Sequence, residues 1–207
     1  MLFNSIEYLL FLPTVFLIYW SLSKSYKIQN LFILIVSYLF YGWWDWRFLI
    51  LIAFTTLCSF ASGIVLERTE GKRLIQKIVS ASNITLNLVI LCIFKYYNFF
   101  GENFTALCNF LGFETHWTTI NILLPVGISF YTFQALSYTI DVYQHKIKPT
   151  SDIIAFFSFI SFFPQLVAGP IERATNLLPQ FLSPRSFEYH KAVDGMKQIL
   201  WGLIKKW

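Results

Sequence analysis

The sequence predicts an all-α, polytopic membrane protein, and three observations carry that reading. Of 207 residues, 56% are hydrophobic and 20% aromatic, with only 13% charged; a soluble domain usually carries about a quarter charged residues. The mean hydropathy is positive, at +0.57. Apolar runs recur along the chain, separated by short polar stretches, as successive bilayer crossings require.

The first span is expected at Ser5 to Leu22, long enough to cross, with Pro13 inside it. A membrane helix tolerates such a proline when its neighbours re-satisfy the backbone. The second span, Ile28 to Tyr41, is short and closes on "YGWWDW", whose aromatic residues suit the interface belt. The third runs from Arg47 to Leu66 and the fourth from Ile78 to Phe99, with Asn83, Asn87 and Lys95 inside it. In "NFFGENFTALCNFLGFETHW", Phe104, Leu107, Phe110 and Leu111 recur at helical spacing, which predicts a short helix lying in the outer interface. The fifth span is expected at Ile120 to Tyr143, and a sixth apolar run starts near Ile153. The last stretch places Val193, Met196, Ile199, Leu200, Leu203, Ile204 and Trp207 on one helix face, with Lys191, Lys197 and Lys205 toward the other. It reads as an amphipathic helix, interfacial or packed on further helices. No glycine, asparagine or proline ends it, so residues 1–207 are expected to be the N-terminal part of one membrane domain, the alternative being a natural terminal helix that frays.

The net charge of +5 is read first as an orientation signal. Lys24 and Lys27, the Arg68–Lys77 loop, and Lys146 with Lys148 lie in alternate loops. The intervening loops hold only Arg47 in one case and no Lys or Arg from Tyr96 to Thr119 in the other. The expected location is the inner (plasma) membrane, with the N-terminus extracytoplasmic. The basic residues form no patch interleaved with aromatics, so no nucleic-acid partner is expected. Cys58, Cys92 and Cys108 are far apart and form no C-x-x-C pair, so neither a zinc ribbon nor a redox dithiol is implied. No metal site and no bound cofactor are expected. The N-terminus lacks the basic region and cleavage site of a signal peptide.

Two stretches are too polar for plain spans. In "LPVGISFYTFQALSYTIDVYQHK", Gln134, Ser137, Tyr138 and Asp141 share a helix face. Such a face turns inward, toward helix partners or water. Asp141 lies near the inner end, where solvation is the simplest expectation. In "FFPQLVAGPIER", Pro164 follows only eleven mostly apolar residues, and Gly169-Pro170 makes a second break. Eleven residues give roughly 16 Å of helix, about half a bilayer core. The stretch is either a re-entrant half-helix at a cavity or a kinked spanning helix.

"LPVGISFYTFQALSYTIDVY", then "SFISFFPQLVAGPIER" and "LLPQF", together with "MLFNSIEYLLFLP", "YGWWDWRFL" and "GLIKKW", resemble the membrane-bound O-acyltransferase family. The resemblance covers essentially the whole chain and points to the bacterial alginate O-acetyltransferase-like branch. It implies a partial ring of transmembrane helices around a thin centre, with the broken or re-entrant helix near that centre. It implies an acyl donor in the cytoplasm, such as acetyl-CoA or an acyl carrier protein thioester. The acceptor would be a hydroxyl of an extracytoplasmic polysaccharide, reached directly or through a periplasmic or extracellular acyl-transfer partner protein. Membrane lipid is the other partner. Substrate-tunnel candidates are Gln134, Tyr138, Gln165, Gly169, Pro170 and Arg173. The family's catalytic histidine would lie beyond Trp207; His116, His145 and His190 sit in no such apolar context. No catalytic residue is therefore expected within the chain, and the 207 residues alone are expected to lack turnover. The readings from other classes are a transporter or channel and a non-catalytic membrane subunit.

Overall fold

The computed structural model describes residues 5–22, 25–43, 45–112, 125, 127–169 and 172–205. Among these, nine helices form: α1 (Ile6–Ser21), α2 (Tyr26–Gly42), α3 (Arg47–Arg68), α4 (Arg73–Phe110), α5 (Ile128–Tyr143), α6 (Ile153–Ile160), α7 (Phe163–Ala168), α8 (Ala174–Leu182) and α9 (Tyr189–Lys205). Local chemistry sets several ends. The Ser5 hydroxyl accepts from the Tyr8 N–H at 3.2 Å and starts α1; the Asp152 carboxylate does the same for α6 through the Ala155 N–H at 3.0 Å. At the end of α5, His145 takes a left-handed conformation (φ 57). Its N–H donates to the Val142 carbonyl at 3.0 Å, and the Lys146 N–H donates to the Asp141 carbonyl at 2.9 Å. This pair of bonds is a Schellman cap, so His145 has a backbone role.

Beside an apolar core, several amide side chains are buried and many large apolar side chains face outward. Gln29, Asn30, Asn87 and Gln134 are buried, while Ile6, Leu17 and Leu74 are 78%, 69% and 73% exposed. A large exposed apolar surface is a liability in water, and polar groups turned inward are what a lipid solvent selects. The molecule is an all-α membrane protein, with α3 and α4 each long and apolar enough to cross a bilayer.

The central helix is α5, which packs against α3, α4, α6, α7 and α8. Asn83 on α4 donates to Thr139 Oγ1 on α5 at 2.7 Å and to Ser59 Oγ on α3 at 3.3 Å, tying the three helices together. On the other side of α5, α6, α7 and α8 make a re-entrant unit. Asn30 of α2 fixes both of its legs at one depth. The Ser158 hydroxyl donates to the Asn30 carbonyl at 2.8 Å, and the Asn30 side chain donates to the Phe181 carbonyl at 2.7 Å. The turn of the unit meets α2 seven residues further along, where the Phe163 N–H donates to Ser37 Oγ at 3.3 Å. Seven residues correspond to about 10 Å of rise. The chain therefore enters, turns within the molecule and returns, which decides between the two sequence readings of this stretch.

Proline explains where the unit breaks. A proline ring collides with the carbonyl four residues earlier, which for Pro164 is Ile160, the last residue of α6. The break thus precedes the proline, and Pro164 sits in the first turn of α7, where no amide donor is needed.

Three expectations are corrected. The separate interfacial helix does not form: α4 runs unbroken from Arg73 to Phe110, about 57 Å, well beyond a bilayer core. Gly101 alone is too weak a breaker to end a helix whose apolar spacing continues. The fifth helix starts at Ile128, not Ile120, because Gly127 has φ 77; residues 113–124 lie outside the described set. Asp141 is not solvated but 5% exposed. Amphipathic α9 forms as expected and touches no other helix among the described residues.

Candidate functional site

The most polar interior belongs to α5. Its lipid-facing strip is narrow, with Phe133 and Ile140 exposed seven residues apart. Opposite, Tyr131, Gln134, Tyr138 and Asp141 follow at spacings of three, four and three, so they share a face. All four are buried. Among the described residues, the Tyr131 hydroxyl, both amide atoms of Gln134 and Asp141 Oδ2 have no hydrogen-bond partner, nor does Thr132 Oγ1 beside them; the Tyr138 hydroxyl lies within reach of the Thr150 backbone. An unmade buried hydrogen bond costs about 1–3 kcal/mol. A helix that keeps this many open donors and acceptors on one face is suited to water or a polar ligand.

The neighbours of this seam are set by close contacts. A Cβ at Gly127 would lie 2.8 Å from the Leu166 carbonyl oxygen, so only glycine lets α7 approach the start of α5. Near that end the Tyr41 hydroxyl of α2 is also buried and, among the described residues, unpartnered, close to Tyr131. Further along, the Tyr138 ring lies 4.5 Å from the Phe156 ring and packs directly on Gly63 of α3. Beyond Asp141, a polar cavity of about 260 Å³ opens at the other end of α5, lined by Glu67, Glu70, His145 and Lys148 among others.

Each residue singled out from the sequence has a definite place. Gln134 and Tyr138 lie on the seam. Gln165 is largely buried on α7. Gly169 ends α7, where a Cβ would lie 2.8 Å from the Gln165 Cα. Arg173 caps α8 with an exposed side chain, and the Ala174 N–H beside it donates to Ser137 Oγ of α5 at 3.2 Å. The turn and the start of α8 thus flank α5 on either side of Gln134. Pro170 and His116 lie outside the described residues. His145 and His190 are exposed. Sequence reasoning missed Tyr41, whose only signal was its place in an aromatic cluster.

Over all 207 residues the chain is 35% identical to the probable alginate O-acetylase AlgI of Pseudomonas aeruginosa and 36% identical to the protein of that name from Pseudomonas putida. Over its whole length the chain is thus similar to proteins named as O-acetylases, in line with the resemblance seen in its motifs. It spans 39% and 42% of those two proteins, about two fifths of their length. A peptidoglycan O-acetyltransferase of Helicobacter pylori is 27% identical over 236 residues, with all of this chain and 44% of that protein covered. No protein-family model and no solved structure matches. Within this O-acyltransferase framework, the α5 seam and the re-entrant unit are the features that break the rules of a passive membrane core.

Proposed function

We propose that this chain forms part of an O-acetyltransferase that passes an acetyl group across the membrane to a polysaccharide hydroxyl. The observation that carries the reading is the row of buried, unpartnered polar atoms along α5. It runs between a tyrosine pair at one end and an open polar cavity at the other, and the broken α6–α7 unit lies against it. From Tyr131 to Asp141 the seam covers about 15 Å, roughly half of a bilayer core. The basic loops assign the cavity of Glu67 and Lys148 to the cytoplasm. A thioester donor, acetyl-CoA or an acyl carrier protein, approaches there, and the acceptor polysaccharide, or a partner protein that relays the acetyl group, approaches the Tyr41 end. Gln134, Tyr138, Gln165 and Gly169 line the path. A histidine in the remainder of the protein takes the hydroxyl proton as the thiol leaves. A transporter also uses broken helices and polar helix faces; acetyl-ester formation distinguishes the two.

Orientation is tested by labelling. A Glu70→Cys variant in intact cells is expected to react with an impermeant thiol reagent only after permeabilisation. Reaction from outside reverses the topology and the donor side with it.

Arg173 supplies the test of the site. Its exposed guanidinium stands where the turn meets α5, suited to orient an anionic or carbonyl group through its planar fork. In the full-length protein, Arg173→Lys is expected to lower acetyl transfer about tenfold, the loss of one bidentate contact, with unchanged membrane abundance. Normal transfer by this variant, in cells and after purification, leaves Arg173 as an arginine that merely reaches the headgroups.

A further inference from the structure

Between α1 and the re-entrant unit lies a second cavity, of about 310 Å³, lined by α1, α2, α7 and α8. Its lining includes Leu12, Val15, Tyr19, Phe163 and Leu177, and it is almost wholly apolar. Arg185 closes one end. The Arg185 Nε donates to the Gln180 carbonyl at 2.9 Å, Nη1 to the Tyr19 hydroxyl at 2.7 Å and Nη2 to Asn30 Oδ1 at 2.5 Å. These three bonds hold the guanidinium beside the end of α1 where Ser21 lies. All three acceptors are neutral. Among the described residues no carboxylate pairs with Arg185; Glu188 and Asp194 pair with lysines. A guanidinium has five N–H donors, so two remain for a ligand.

We propose that this cavity holds an acyl chain of an anionic phospholipid whose phosphate sits on Arg185. Depth and charge favour that occupant. From Tyr19 to Leu12 the cavity wall runs about 10 Å along α1, from the level of the cation toward the bilayer centre, as a lipid tail runs from its headgroup. A protein segment filling the same space needs both an apolar side chain at depth and an added carboxylate at Arg185. A phospholipid brings tail and phosphate in one molecule, and its net negative charge neutralises a cation that is costly to leave unpaired near hydrocarbon. The bound lipid then bridges α1 to the re-entrant unit.

The test places the full-length protein in nanodiscs with a trace of phosphatidylglycerol bearing a diazirine in its acyl chain. After irradiation, labelled peptides are mapped by mass spectrometry. Label is expected on α1 between Leu12 and Tyr19 or around Leu177. Unlabelled phosphatidylglycerol is expected to displace it about tenfold more effectively than phosphatidylcholine, the weight of one charge-assisted contact. Arg185→Gln is expected to remove that preference. Because Arg185 also joins α1, α2 and α8, Leu177→Trp serves as the second variant: it fills the cavity, leaves the arginine's bonds intact and is expected to abolish the label. Equal displacement by both lipids overturns the role of Arg185. Label at lipid-facing positions such as Leu39 but none in the cavity overturns the proposal, because another part of the protein then fills it. Neither readout depends on acetyl transfer.

Discussion

Replacing Gly63 by valine is expected to unseat α3 from α5 and to cost the full-length protein about 3 kcal/mol, the upper range for overpacking a core. The reason is one contact. A Cβ at position 63 would overlap the Tyr138 hydroxyl and lie 2.9 Å from its ring Cε1. Tyr138 is fully buried and is held from the other side by Phe156 at 4.5 Å between ring centroids. Neither ring can yield without moving α6, so strain passes to the α3–α5 packing. Thermal unfolding in detergent measures the effect. A milder pair isolates the cause: Gly63→Ala is expected to cost about 2 kcal/mol alone and about 1 in a Tyr138→Phe background, where the offending hydroxyl is gone. Strictly additive losses show that Tyr138 is not what the glycine accommodates.

Gly63 also shows where sequence reading stops. A glycine beside Ser59 and Ser62 in the middle of a span is visible as a small-residue packing face. That its partner is a tyrosine 75 positions away is a tertiary fact with no local trace. The helices themselves were legible where length and apolarity decide. The first, second and third spans fall within a few residues of α1, α2 and α3, because basic and aromatic residues punctuate them. The fourth was not legible at its far end. Gly101 and Glu102 look like the start of a loop, yet one glycine costs a helix only about 1 kcal/mol, and α4 continues past them. The re-entrant unit lay between. Pro164 and Gly169 announced a break, but whether the chain returned or continued depended on Asn30, 128 residues before Ser158. Asp141 was misplaced because proximity to a helix end says nothing about what packs over it.

The polar face of α5 was legible as a pattern but not as a site. Spacing placed Gln134, Tyr138 and Asp141 together, and only the structure distinguishes a bonded face from an open one. Asn83 and Asn87 are equally polar and equally buried, yet their amide nitrogens donate to Ser59, Thr139 or the Asn83 carbonyl. Those residues hold helices together. Among the described residues, the Gln134 amide donates to nothing and accepts from nothing.

That difference makes Gln134→Leu the most informative substitution, because stability and activity are expected to move in opposite directions. Leucine has nearly the same volume and removes two unpartnered polar atoms from a site that is 1% exposed. Unfolding of the full-length protein should therefore become harder, by about 1–2 kcal/mol, since an unmade buried bond is relieved. Acetyl transfer should fall about tenfold or more, because a polar group aimed at developing charge in a low-dielectric site is lost. Gln134→Asn keeps an amide one methylene shorter and should recover part of the transfer without the gain in stability. A bonding role in helix packing gives the reverse pattern, with Leu destabilising and activity tracking the folded fraction. Full transfer by a stabilised Gln134→Leu protein sinks the site, and the α5 face is then only an imperfectly packed core.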